Sequence, residues 1–133
     1  MKAKVNWIKD YKLEGETDNG QKVFMDTGEN AVAASPAQLL LQALAGCTMM
    51  DIVLILSKSR KRIEEFWVDV DAEEAKVHPK VFTKIHLRYN IRGKNFSARE
   101  VERAIVLSEK KYCRVHAMLE GKVKIITSYN LIQ

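Results

Sequence analysis

The chain has 133 residues and a mass of 15.2 kDa, so we expect one domain over residues 1–133. Hydrophobic residues make up 47% and charged residues 29%, which excludes an intrinsically disordered chain. The net charge is +5, and the two cysteines are too few for a disulfide scaffold. Because the sequence shows no metal-ligand spacing, we expect no metal site.

The first 26 residues predict a small antiparallel meander. Ala3, Val5 and Trp7 alternate with polar neighbours, as in a half-buried strand, and Val23–Met25 is a second short apolar run. Between them, Asp18-Asn19-Gly20 is a typical tight-turn sequence. The N-terminal residues contain no apolar core of a signal peptide, so we expect a cytoplasmic protein.

A long central helix is predicted to begin at Pro36. Ser35 is a suitable N-cap, proline favours the first helical position, and Gln38 completes a capping box. Beyond these residues only Gly46 interrupts the pattern, and the helix can extend as far as Arg62. Because its first five turns are apolar almost all round, the helix must be buried on every side or span a membrane.

Polar residues within this helix favour burial over a membrane span. Gln38, Gln42, Thr48 and Asp51 interrupt the apolar run, whereas a span usually requires about 20 consecutive apolar residues. We therefore expect no membrane contact. A domain of this size cannot easily surround such a helix by itself, so the sequence predicts a homodimer.

The positive charge is concentrated in the second half of the chain. Residues 1–56 carry 5 Lys against 7 acidic residues, whereas residues 57–133 carry 17 Lys and Arg against 10 acidic residues. The densest basic run, Lys58–Arg62, directly follows the apolar helix and is predicted to be its solvated end. Since no aromatic residues or recognition motif accompany it, we expect no nucleic-acid partner.

The second half of the chain predicts a long hairpin. Apolar and polar residues alternate over Phe66–Ala72 and again over Val81–Arg92. His78-Pro79-Lys80 lies between these two segments and is predicted to form the turn.

Two helical segments and a final strand are predicted to follow the hairpin. Ser97 and Glu100 form a second capping box, and apolar residues at helical spacing continue to Tyr112. A short helical turn over 114–119 and an alternating strand over 123–131 complete the chain. The order of elements predicts an α+β fold, because it lacks the regular alternation of a doubly wound sheet.

The three histidines do not suggest a site. His78, His86 and His116 share no metal-ligand spacing, and we interpret all three as surface residues. The sequence also contains no phosphate-binding glycine loop and no nucleophilic-serine motif.

The two cysteines are the remaining candidates for chemistry. Taken alone, Cys47 in its apolar helix is most often a small buried hydrophobe, and Asp51 one turn later would oppose its thiolate. Cys113 is the better candidate on charge, because Lys110-Lys111, Arg114 and a helix N-terminus would stabilise a thiolate. Sequence spacing does not show whether the two sulfurs meet.

Three segments carry a family resemblance. Ser35–Thr48, SPAQLLLQALAGCT, resembles the Pro-x-x-Leu-Leu…Ala-x-x-Gly-Cys-Thr helix of the OsmC/Ohr family, and Leu107–Cys113 resembles its second-cysteine motif. Asp51–Leu56 is similar to the segment that follows the first cysteine in the short OsmC-like branch. The resemblance covers essentially the whole chain. It implies an OsmC-like α+β fold and an intertwined homodimer, whose central helices pack together with active sites at the interface.

The resemblance also implies a thiol-dependent peroxidase of organic hydroperoxides that serves in oxidative-stress defence. In such a protein Cys47 is the peroxidatic cysteine, which becomes a sulfenic acid, and Cys113 resolves it to a disulfide. An external dithiol then reduces the disulfide. No metal and no organic cofactor are implied.

Two positions differ from the family pattern. Well-known members activate the first cysteine with an arginine from the N-terminal half and a glutamate directly after the helix-starting proline. Here the first arginine is Arg60, and Ala37 occupies the glutamate position. Lys12 or Lys22 can supply a positive charge but not the planar guanidinium. The alternative function is therefore a catalytically degenerate OsmC-like protein that binds an apolar small molecule at the dimer interface.

Overall fold

The computed structural model describes residues 1–132 and has the predicted α+β class. The chain divides into two compact units, one from Met1 to Leu41 and one from Gln42 onward; its assignment as a single domain stays a prediction. The strands are β1 (Ala3–Lys9), β2 (Lys12–Thr17), β3 (Lys22–Met25), β4 (Arg62–Glu74), β5 (Phe82–Lys94) and β6 (Lys124–Ile132). The helices are α1 (Pro36–Ser57), α2 (Ala98–Leu107) and α3 (Arg114–Leu119), with a π-helical segment (Ser108–Tyr112) between α2 and α3.

The first unit contains the predicted meander, in which β1, β2 and β3 pair antiparallel in that order. The turn between β2 and β3 lies at the predicted place. Its Gly20 has a φ of +86°, which favours glycine, and donates its N–H to the Thr17 carbonyl oxygen at 3.0 Å. Large apolar side chains on this sheet are exposed in the single chain: Val5, Trp7, Ile8 and Phe24.

The predicted start of α1 is confirmed. The Gln38 N–H donates to Ser35 Oγ at 3.2 Å, and the Ser35 N–H donates to Gln38 Oε1 at 2.9 Å. Within the described residues this is the one helix long and apolar enough to cross a membrane, a property shared by core helices of soluble proteins. One face is buried, by Leu44, Ala45, Thr48, Ile52 and Leu56. Another face is exposed in the single chain, with Leu40, Met50, Val53 and Leu54.

The predicted extension of this helix to Arg62 is wrong, because α1 ends at Ser57. The Ser57 hydroxyl donates to the Leu54 carbonyl oxygen at 2.9 Å, and Arg60 has a φ of +59°, which is incompatible with a continuing helix. The basic run Lys58–Arg62 is therefore not a helix end: residues 58–60 form a turn, and Arg62 is the first residue of β4.

The second unit contains a sheet in the order β4-β5-β6. The predicted hairpin is confirmed, since β4 and β5 pair antiparallel with Phe66 opposite Ile91. β6 pairs parallel to β5, which the sequence did not predict. Because β5 lies between two strands, it provides the centre of the core, through the fully buried side chains Ile85, Leu87, Tyr89 and Ile91.

The second helical region begins as predicted and then changes its winding. Ser97 and Glu100 form the predicted capping box at the start of α2. The sequence predicted regular α-helical spacing up to Tyr112, but from Ser108 the chain winds as a π-helix. The Cys113 N–H donates to the Ser108 carbonyl oxygen at 2.7 Å, five residues back. This wider turn rotates Cys113 relative to α2 and places it directly before α3.

Candidate redox site

The structure brings both predicted site residues together in the second unit. One ligand-type atom from each of Cys47, Asp51 and Cys113 lies within 4.8 Å of the other two. We call these three residues the thiol–carboxylate cluster. Neither cysteine forms a disulfide within residues 1–132, so both are thiols.

α1 supplies two members of the cluster. Cys47 and Asp51 are four residues apart, so their side chains lie on the same face of the helix, one turn from each other. Cys47 is partly exposed, which differs from the inert, buried hydrophobe that its apolar neighbours suggested. Thr48 beside it is fully buried, and its hydroxyl donates to the Ala45 carbonyl oxygen at 2.9 Å.

A side chain from the π-helical segment holds the carboxylate. Ser108 is fully buried, and its hydroxyl donates to Asp51 Oδ2 at 2.9 Å. Hydrogen bonds to charged groups are stronger than those between neutral groups. The contact therefore fixes both the rotamer of the carboxylate and the position of the π-helical segment against α1.

Cys113 occupies the joint between two helical segments. Its backbone closes the π-helical segment, and its Sγ accepts the His116 N–H at 3.3 Å as the N-cap of α3. The side chain is only 3% exposed. Two successive backbone contacts thus fix the sulfur in place.

The thiolate that the sequence predicted for Cys113 is not supported. Burial, followed by the neighbouring Cys47 thiol, raises the pKa of Cys113 to about 12, and the His116 N–H only partly opposes this shift. Lys110, Lys111 and Arg114 are exposed to water and do not offset the burial. Cys113 is consequently a protonated thiol near neutral pH.

Buried polar groups lie next to this thiol. His116 is only 7% exposed, so its prediction as a surface residue is wrong. Within the described residues, His116 Nδ1, Glu109 Oε1 and the Tyr89 hydroxyl are buried without a hydrogen-bond partner. Burial raises the pKa of Glu109, and the nearby His116 opposes that shift. Burial also raises the pKa of Tyr89, with smaller contributions from Glu109 and Cys113.

The other two histidines lie outside the cluster. His78 is exposed in the β4–β5 turn, as predicted. His86 is partly exposed on β5, and its Nε2 is 2.9 Å from Ser128 Oγ.

A cavity of about 320 Å³ adjoins the cluster at Asp51. Its walls include the apolar side chains Leu54, Ile55 and Leu107, and its polar lining includes Lys58 and Tyr112. The cavity can therefore accommodate a small apolar molecule beside the carboxylate.

The two lysines considered as replacements for the family arginine are paired within the first unit. Lys12 Nζ lies 3.6 Å from Asp26 Oδ2, and Lys22 Nζ lies 2.9 Å from Glu14 Oε1. Each positive charge is thus already balanced by a carboxylate of the same unit.

Sequence reasoning missed Ser108, Glu109 and the burial of His116. One signal was available for Ser108, because helical spacing placed this polar residue on the apolar stripe that contains Val101 and Ile105. A polar residue on a buried face needs a hydrogen-bond partner. The other two residues carried no comparable signal.

Comparisons with known proteins agree with this fold. A family model described as OsmC-like protein matches residues 27–128. The YhfA protein of Escherichia coli (strain K12) is 35% identical over 132 residues, which cover 99% of this chain and 98% of that protein. The crystal structure of an OsmC like protein from Mycoplasma pneumoniae matches with a TM-score of 0.86 at 20% identity, over 99% of this chain and 96% of the other. An organic hydroperoxide resistance protein from Elizabethkingia anophelis matches with a TM-score of 0.73 at 14% identity, over 98% and 96%.

Proposed function

Because this chain belongs to the OsmC-like protein family, we propose that it is a thiol-dependent peroxidase that reduces organic hydroperoxides through Cys47 and Cys113. The observation that carries the proposal is the cluster in which both sulfurs lie within 4.8 Å of each other. A peroxidase of this type needs a second thiol close to the first, because the sulfenic acid must be converted to a disulfide before it is oxidised further.

Cys47 is the nucleophile in this proposal, since it is partly exposed whereas Cys113 is a buried thiol. The Cys47 thiolate attacks the outer oxygen of the hydroperoxide, the O–O bond breaks, and an S–O bond forms. The alkoxide leaves and takes up a proton to become the alcohol. Cys47 is thereby oxidised to a sulfenic acid.

Cys113 resolves the sulfenic acid. Its sulfur attacks Cys47 Sγ, the S–S bond forms, and the hydroxyl group leaves as water with the proton that Cys113 gives up. The Asp51 carboxylate is within 4.8 Å of the cluster sulfurs and is placed to accept that proton transiently. An external dithiol supplies the two electrons that return both cysteines to thiols.

The cavity beside Asp51 supports an apolar substrate. Leu54, Ile55 and Leu107 offer an apolar surface to the organic group of a hydroperoxide, while the peroxide oxygens face the cluster.

The exposed face of α1 supports a homodimer as the functional unit. Met50 is 76% exposed in the single chain, and Leu54 is 57% exposed. Contiguous apolar surface of this kind typically marks an interaction site. A second copy of the chain that covers this face gives α1 the burial that its sequence requires.

A shallow apolar groove favours a second candidate function, the binding of an apolar small molecule without turnover. It has a volume of about 510 Å³ and is lined by Gly46, Met49, Met50, Val53, Leu54 and Ser57. In this alternative the cysteines do not react with hydroperoxides.

The two functions are separated by trapping the sulfenic acid. The Cys113→Ser variant, treated with cumene hydroperoxide and a 1,3-dione, should carry one dione adduct on Cys47 by peptide mass spectrometry. The Cys47→Ser variant is the matched control and should carry none. If Cys47 stays unmodified in Cys113→Ser, the result favours the second candidate function, the binding of an apolar small molecule without turnover.

A further inference from the structure

The thiol–carboxylate cluster has the composition of a metal site. Two thiols and one carboxylate converge within 4.8 Å, although the sequence shows no metal-ligand spacing. No such spacing is visible in the sequence because Cys113, at the joint between the π-helical segment and α3, is distant in sequence from Cys47 and Asp51. A cluster with this donor set is competent to bind a cation whether or not it also reacts with hydroperoxides.

The three donors are held on ordered elements. Cys47 and Asp51 have the i and i+4 spacing that places two zinc ligands on one face of a helix. Cys113 is fixed by its backbone contact to Ser108 and by the N–H of His116. Tetrahedral zinc ligands at about 2.0–2.3 Å from the ion are roughly 3.5–3.8 Å apart. The three donor atoms already lie within 4.8 Å of one another, so they need to move only slightly closer to bind the ion.

Outer contacts of the kind found around metal ligands are already present. Ser108 Oγ donates to Asp51 Oδ2 at 2.9 Å, which orients the carboxylate and leaves its other oxygen available. The His116 N–H donates to Cys113 Sγ at 3.3 Å and stabilises negative charge on that sulfur. Such second-layer hydrogen bonds commonly fix the geometry of a metal site and raise its affinity.

The donor set selects the metal. Mg²⁺ and Ca²⁺ prefer oxygen ligands, whereas two thiolates and one carboxylate suit Zn²⁺, which accepts sulfur and oxygen in tetrahedral geometry. Two thiolates and a carboxylate carry a charge of −3, so the ion leaves only a single net negative charge. Three protein ligands also leave a fourth position for water.

We infer that the reduced protein binds one Zn²⁺ ion per chain through Cys47 Sγ, the Asp51 carboxylate and Cys113 Sγ. Binding releases the two thiol protons to solvent and changes no oxidation state. The bound ion withholds both sulfurs from other reactions. Its consequence for turnover, namely that zinc protects the cysteines from hydroperoxide until it is removed, rests on the proposed peroxidase function.

Zinc titration of the full-length reduced protein tests the inference. We expect one Zn²⁺ per chain, measured by competition with a chromophoric zinc indicator under anaerobic conditions. Loss of an outer-shell partner typically weakens a metal site about 10–100-fold. Removal of a direct ligand in Cys47→Ser, Cys113→Ser or Asp51→Asn should therefore weaken zinc binding by at least about this factor. Glu73→Gln, which alters an exposed carboxylate of β4 outside the cluster, is the matched control and should bind as tightly as the wild type.

Co²⁺ provides a second measurement on the unmodified protein, so the test does not depend on the folding of a variant. The wild type should show an intense sulfur-to-cobalt charge-transfer band and tetrahedral d–d bands that Zn²⁺ abolishes. Zinc should also slow the alkylation of Cys47 by iodoacetamide. The inference is overturned by a failure of the reduced wild type to bind Zn²⁺, by binding that both Cys→Ser variants retain, or by a cobalt spectrum without the sulfur band. None of these measurements uses a hydroperoxide. A protein that does not bind zinc can therefore still be a peroxidase, and a protein without peroxidase activity can still bind zinc.

Discussion

Ser108 and Asp51, 57 positions apart in the sequence, are joined by a hydrogen bond of 2.9 Å from the serine hydroxyl to Asp51 Oδ2. The bond connects the π-helical segment that leads to Cys113 with the helix that carries Cys47. The separation of the two sulfurs therefore depends on a contact that involves neither cysteine.

Ser108→Ala should destabilise the protein. The variant leaves the Asp51 carboxylate without its buried donor, which typically costs about 1–3 kcal/mol in the free energy of unfolding. Urea denaturation measures this change. Ser57→Ala removes a serine hydroxyl from the exposed end of α1 and serves as control, with an expected change within about 0.5 kcal/mol. Equal losses in the two variants would argue against a special role for the Ser108 contact.

Alkylation should distinguish the two cysteines. Because burial raises the pKa of Cys113 to about 12, this residue stays protonated across the neutral range, while Cys47 is accessible. Iodoacetamide near neutral pH should therefore modify Cys47 first in the native reduced protein, with Cys113 modified only after denaturation in urea. Peptide mass spectrometry quantifies both adducts. Preferential modification of Cys113 in the native state would contradict the assigned roles.

Acid should remove one specific stabilising contact. The Lys61 ammonium, together with the Ser97 N–H, lowers the pKa of Glu100 from its ordinary 4.5 to about 2. A carboxyl group with a lowered folded-state pKa adds stability above its unfolded pKa, and this stability is lost as pH falls from about 4.5 toward 2. The Tm difference between wild type and Glu100→Gln should therefore be largest above pH 5 and shrink over that range. A difference that stays constant down to pH 2 would show that the charge of Glu100 contributes nothing.

The exposed face of α1 should mediate dimerisation. Met50→Glu places a charge on the proposed interface and should shift the protein from dimer to monomer in equilibrium sedimentation. Met118→Glu is the matched control, because Met118 is 71% exposed on α3, close to the 76% of Met50. If the wild type sediments as a folded monomer at micromolar concentration, the proposed homodimer is wrong.

Local signals made much of the fold predictable. The capping boxes at Ser35 and Ser97 lie in short stretches of sequence, and both helices begin where these residues predict. Turn residues and alternating apolar residues likewise defined the meander and the hairpin. In each case, the sequence signal that predicts the element lies within a stretch of a few residues.

Features that depend on tertiary contacts were not predictable. Nothing in the spacing of residues 98–112 separates an α-helix from a π-helical turn, because the same residues fit both windings. The end of α1 was missed for a related reason, since Lys58 and Ser59 do not forbid a helix and the left-handed Arg60 terminates it. The burial of His116 and the parallel pairing of β6 likewise depend on residues that are distant in sequence.

The candidate site was only half predictable. The family resemblance identified Cys47 and Cys113, but spacing alone did not bring their sulfurs together. The charge argument for a Cys113 thiolate was wrong because it counted nearby cations and could not count burial. The burial of Cys113 depends on tertiary packing, which a count of neighbouring charges in the sequence does not include.

The stoichiometry of a single turnover is the sharpest test of the proposed peroxidase reaction. Reduced wild-type protein is mixed with an equimolar amount of cumene hydroperoxide, and the alcohol product, the remaining thiols and the intact mass are measured together. We predict one alcohol per chain, the loss of both thiols, and a Cys47–Cys113 disulfide within the same chain. If both thiols are unchanged and no alcohol forms, the protein is not a peroxidase of this kind, and the binding of an apolar ligand becomes the better description of its function.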